Sequence, residues 1–135
     1  MSIDVVAGDA LAASLAVVLA AAGYLKLRCR QAFVASVSTW GLSKRMSRVL
    51  SFGLPLLELG TAASLVPGLF EVRLAAPGRL FASVLFLSFA VAQVALLWAA
   101  APAKCGCFGR ASDVSLPTTV RAAAFGLLAV LAVAL

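Results

Sequence analysis

Histidine is absent from all 135 residues, and only five residues are acidic. Without imidazole there is no Ser/His nucleophilic machinery. A four-coordinate zinc site would have to complete itself with Asp113, water or a partner's side chain. No glycine-rich phosphate loop and no haem-attachment motif occurs, so phosphoryl transfer and hydrolysis drop out. Charge is scarce as well, at 12% of residues against 64% hydrophobic. A soluble domain of this size keeps much of its surface in water and has no place for so much apolar side chain. The remaining solvent is a bilayer.

What is present supports that solvent. Four apolar stretches, roughly 5–27, 49–66, 80–101 and 117–135, each approach the ~20 residues that carry a helix across a hydrocarbon core. Backbone groups in lipid must pair internally, and no period-2 barrel pattern occurs, so the stretches are expected to be helices. The expected fold is all-α: a polytopic four-transmembrane-helix bundle, with residues 1–135 as a single domain. The leader MSIDVV carries Asp4 and no basic residue, unlike a signal peptide, so the first stretch is expected to remain as a helix. Between the first two stretches, Phe33, Val37 and Trp40 fall at i, i+4 and i+7 among basic residues. That spacing predicts a short interfacial helix on the leaflet, ended by Gly41, with Ser43 capping the next helix.

Net charge is +6, which by itself suggests nucleic acid. Its distribution points elsewhere. With four spans, Lys26, Arg28, Arg30, Lys44, Arg45, Arg48, Lys104, Arg110 and Arg121 share one face, and only Arg73 and Arg79 lie on the other. This positive-inside asymmetry places the basic face in the cytoplasm and both termini outside, in the cell (inner or plasma) membrane. Anionic headgroups suffice as partners for these charges, and no nucleic acid is expected.

Two of the three cysteines stand in the run CGCFG, residues 105–109. Cys105 and Cys107 are flanked by Lys104 and Arg110. Cations and the amides of a Gly-rich turn favour thiolate, the species that attacks a disulfide. Gly106 is expected to give the turn freedom to bring the sulfurs together. A disulfide across a Cys-X-Cys ring has awkward geometry and suits exchange rather than stapling. Cys29 ends the first stretch on the same side, as a third thiol for a mixed disulfide or as a free one. The alternative is a soft-metal (Cu, Zn or Hg type) binding or transport protein that uses Cys29, Cys105 and Cys107. Glu58 lies midway along the second stretch, where an ionisable group needs a partner or a task. Lys26 is its candidate partner; the competing reading is a protonated Glu58 or a hydrogen bond to Gln93. Arg121 either snorkels to headgroups or pairs with Asp113.

Taken in order, Gly23-Tyr24-Leu25-Lys26-Leu27, Phe33, Pro55, Glu58, Gly60, Cys105-Gly106-Cys107-Phe108-Gly109 and Arg121 resemble the MauE family, related to DoxX-like four-helix membrane proteins. The resemblance covers nearly the whole chain. It implies a redox-associated membrane protein that assists maturation of an exported, disulfide-rich partner. It also implies a separate thioredoxin-like protein beside it. No cofactor is evident in the sequence, and a quinone is the alternative electron partner. Cysteines on a cytoplasmic face conflict with the persistence of disulfides outside the cell. A transmembrane relay, an inverted topology or a cytoplasmic target would each reconcile the two. A non-catalytic assembly subunit is the remaining class.

Overall fold

A computed structural model describes residues 3–67, 72–99, 103–106 and 112–134. The described residues form five helices: α1 (Ile3–Arg28), α2 (Arg30–Ser38), α3 (Lys44–Leu65), α4 (Val72–Trp98) and α5 (Leu116–Ala134). Two-residue strands β1 (Lys104–Cys105) and β2 (Ser112–Asp113) pair antiparallel between α4 and α5. The long helices form a ring in which α1 packs on α3, α3 on α4, α4 on α5 and α5 on α1. The short α2 lies against α3, α1 and β1.

In α1 and α5, small side chains dominate the side that faces inward. The buried stripe of α1 is Gly8, Ala12, Leu15, Ala16, Leu19, Ala22, Gly23 and Lys26, spaced by three and four residues. In α5 it is Thr119, Ala122, Gly126, Ala129 and Ala132. Small side chains let helix backbones approach where no water drives them together. Large apolar residues point outward instead, among them Val17, Leu56, Phe81, Val91 and Leu127. Such outward faces suit lipid and would be unusual in water. Tyr24 and Trp98, near the C-terminal ends of α1 and α4, are exposed, as aromatic belt residues are.

Among the described residues, three helical segments are long and apolar enough to cross a membrane: Ile3–Arg28, Ala76–Trp98 and Leu116–Ala134. At 22 residues α3 is long enough, about 33 Å at ~1.5 Å per residue. Its apolar run is diluted by Ser51, Glu58, Thr61 and Ser64, and it does not join the three on composition. Ser43 caps α3, its hydroxyl accepting from the Met46 amide at 3.2 Å. Gly41 precedes the cap at φ 71°, a left-handed conformation that glycine adopts without steric cost.

Several boundaries differ from the sequence reading. α4 starts at Val72, not near Leu80, because Pro77 and Gly78 stay within it. Gly78 is required for packing: a Cβ there would stand 2.6 Å from the Ser64 carbonyl oxygen of α3. The paired strands β1 and β2 were not foreseen. Phe33 and Val37 of α2 are buried within the chain itself, so its apolar face covers protein. Trp40 lies beyond the end of α2 and donates from Nε1 to the Lys104 carbonyl at 2.8 Å.

At the other end of the bundle, Arg79 of α4 donates to Asp9 of α1 at 2.9 Å and to the Ala132 carbonyl of α5 at 3.1 Å. One guanidinium thereby holds three helices in register.

Candidate functional site

Close approach of α1 and α3 builds the site. A Cβ at Gly23 would meet Leu59 Cγ at 2.8 Å and the Pro55 carbonyl oxygen at 3.0 Å. The two helices therefore touch at Gly23 and Pro55. Three residues on from each contact stand Lys26 and Glu58, on the same faces. Their side chains form an ion pair that is nearly fully buried, each about 2% exposed. The Lys26 ammonium also lies 5.6 Å from the Phe33 ring centroid and 5.5 Å from that of Phe89. Both are cation–π distances, and they replace part of the hydration that burial removes. Glu58 Oε2 has no hydrogen-bond partner among the described residues.

Two small cavities flank this pair. One is walled by Lys26, Phe33, Phe89, Gln93 and Cys105. The other is walled by Glu58, Phe86, Gln93, Arg121 and Phe125. Each has about 40 Å³ of free space, room for a few water molecules at ~10–15 Å³ apiece. Gln93 borders both, and its Nε2 donates to Cys105 Sγ at 3.7 Å. The buried amide thus links the thiol to the neighbourhood of the ion pair.

Cys105 is 3% exposed. It is carried on β1, which Trp40 and Thr39 hold from below: Thr39 Oγ1 accepts from the Lys104 amide at 2.8 Å. Gly106 fits the next position for reasons of space. A Cβ there would stand 2.7 Å from the Phe33 ring, so the residue is small because α2 lies against it, rather than for turn freedom. Cys107 and Arg110 lie outside the described residues.

The remaining candidates fall as follows. Cys29 joins α1 to α2 and is exposed; it does not border the Cys105 cavity. Lys104 borders that cavity, but its ammonium pairs with Asp113 at 3.2 Å in solvent. Asp113, considered as a partner for Arg121, is thus engaged across the β1–β2 pair. Arg121 is exposed on α5 at the wall of the second cavity. Glu58 Oε1 accepts from the Lys26 ammonium, and Gln93 Nε2 donates to Cys105 Sγ. Among the described residues, no group of three or more His, Cys, Asp or Glu could hold a metal ion.

Sequence reasoning named Gln93 only as a possible partner of Glu58, not of the thiol, and missed Phe89. Gln93 was detectable as the one strongly polar residue of its apolar run. Phe89 carried no signal, being one phenylalanine among eight.

A family model described as methylamine utilisation protein MauE matches residues 5–135. No curated protein and no solved structure matches the chain.

Proposed function

Because the chain belongs to the MauE family of methylamine utilisation membrane proteins, we propose that it is a membrane thiol–disulfide redox protein assisting the maturation of a partner protein. Cys105 and Cys107 form the reactive pair. A thiolate of the reduced pair attacks the disulfide of a thioredoxin-like partner, giving a mixed disulfide. The second cysteine resolves it, leaving a Cys105–Cys107 disulfide and a reduced partner dithiol. Two electrons pass to the partner, and the pair's two protons end on its thiols. The reverse reaction oxidises the partner, with a quinone as the alternative electron acceptor for the pair. Lys104 and Arg110 favour thiolate. Lys26 and Glu58 support the site from within the bundle, and Arg121 from the exposed wall of the second cavity.

The observation that carries this reading is the setting of Cys105. Its thiol is buried on a small cavity, beside a donated amide and a buried ion pair. A cysteine that only filled space would need none of these polar neighbours.

The same proposal includes a single domain over residues 1–135, with α3 as a fourth span and α2 at the cytoplasmic interface. Two candidate spans, α1 and α4, pack along α3, which supports its crossing with them. The cysteine loop then faces the cytoplasm and the termini face outside.

Thiol trapping with a membrane-impermeant maleimide, read by mass spectrometry, tests the reading. After the membrane is opened, Cys29 should label without reduction, and Cys105 and Cys107 should label only after it. Labelling of the pair in intact cells after reduction would invert the topology and leave the redox reading in place. A pair that is reduced under every condition tried would overturn it.

A further inference from the structure

A second site lies on the outer side of α2, away from the cysteine. There α2 and α3 diverge and leave a groove of about 670 Å³, far larger than the two inner cavities. Its polar wall carries Arg30, Lys44 and Arg48 with Ser47, and also Ser38 and Ser51, whose hydroxyls donate to the Ala35 and Ser47 carbonyls. Its apolar wall is Val34, Leu42 and Phe52, all half-exposed. The Arg30 guanidinium stacks on the Phe52 ring at 3.9 Å, which fixes it at the junction of the two walls.

Charge balance indicates what belongs there. Among the described residues, the acidic side chains in ion pairs are Glu58, Asp9 and Asp113, and they pair with Lys26, Arg79 and Lys104. Arg30, Lys44 and Arg48 are in none of these pairs. Three cations around one groove, with no acidic side chain of the described residues paired to them, call for an anion from outside the chain. Arginine and lysine match phosphate oxygens. The adjoining apolar wall continues into the outward apolar surface of the bundle, so the anion carries a hydrocarbon tail.

We infer that the groove between α2 and α3 is a binding site for one anionic phospholipid, its phosphate held by Arg30, Lys44 and Arg48 and its acyl chains laid against Val34, Leu42 and Phe52. A basic pocket between helices beside a membrane surface is the chemistry that selects anionic from zwitterionic headgroups. The site rests on the membrane reading alone, independent of the thiol chemistry. Occupancy would hold α2 against α3, and α2 in turn supports Gly106 through Phe33.

Native mass spectrometry of the full chain, released from nanodiscs of equal phosphatidylglycerol and phosphatidylcholine, tests the inference. The wild type should retain one phosphatidylglycerol in at least tenfold excess over phosphatidylcholine. The triple variant Arg30→Gln/Lys44→Gln/Arg48→Gln should lose that preference, and Arg45→Gln, outside the groove, should keep it. Thermal melting followed by tryptophan fluorescence checks that the triple variant is folded; if it is not, the single variant Lys44→Gln is used and should lower retention several-fold. Equal retention by wild type and groove variants would overturn the site, as would equal loss in Arg45→Gln. Displacement of the lipid by millimolar inorganic phosphate would overturn the lipid assignment in favour of a free anion. Because the readout is lipid mass, a failed redox test leaves it unaffected.

Discussion

The buried pair of Lys26 and Glu58 is held by two helices that each contribute one charge. Removing either partner leaves the other nearly fully buried without its counter-charge. Lys26→Met is therefore expected to destabilise the fold by about 3–5 kcal/mol, whereas Lys26→Met with Glu58→Met together should recover most of that loss. Unfolding in detergent, compared across the double-mutant cycle, checks both outcomes. Gly106 makes a second expectation at this scale. Gly106→Val has to push β1 away from Phe33, since a Cβ would lie 2.7 Å from that ring. After reduction, Cys105 should then alkylate several-fold faster than in wild type, with Cys29 unchanged as the internal standard. Both effects come from the immediate neighbours of one side chain.

Helix pairs are set by where glycine and alanine permit contact. At Gly23, α1 touches the Pro55 carbonyl and Leu59 of α3, while at Gly60 nothing lies within 4 Å. Gly23→Val should separate the two helices and cost about 1–3 kcal/mol of overpacking. Gly60→Ala should be neutral or stabilise by up to about 1 kcal/mol, the usual difference in helix propensity. Thermal melting of the two variants side by side decides this, and equal effects would show that the Gly23 contact is not limiting. Much of this level could be anticipated. The Ser43 cap, the Gly41 break and the partnership of Lys26 with Glu58 depend on local signals or on a shared end of the bundle. The start of α4 could not be anticipated, because Pro77-Gly78 reads as a break. In the fold it remains helical, with Gly78 pressed against the Ser64 backbone of α3.

For the whole molecule, outward Val, Leu and Phe side chains and inward Ala and Gly make a bundle whose exterior is as apolar as its core. The Arg79 contacts to Asp9 and Ala132 close one end, and the Lys26–Glu58 pair lies towards the other. With nine of the eleven basic residues assigned to one face by a four-span topology, a periplasm-dependent phosphatase fused after Leu135 should be active, and one inserted in the loop before Ser112 should be inactive. With the N-terminus outside, loss of α3 as a span would reverse the two results, whereas activity of both fusions would mean that α5 does not cross. Moving Lys44, Arg45 and Arg48 to Gln should shift the fusions towards mixed orientation.

Composition by itself determined the solvent, the helical class and the stock of chemistry: three thiols, one mid-helix carboxylate and no imidazole. These follow from side-chain transfer energies and from backbone groups that must pair within each segment. Which thiol is buried, that Gln93 reaches Cys105, and that α2 and α3 diverge around three cations were decided only by the tertiary structure. The reason is that α1 and α4 are apolar on every side and carry no phase of their own. Their rotation is set by close packing of small residues, and contact between residues far apart in sequence exists only once that rotation is fixed.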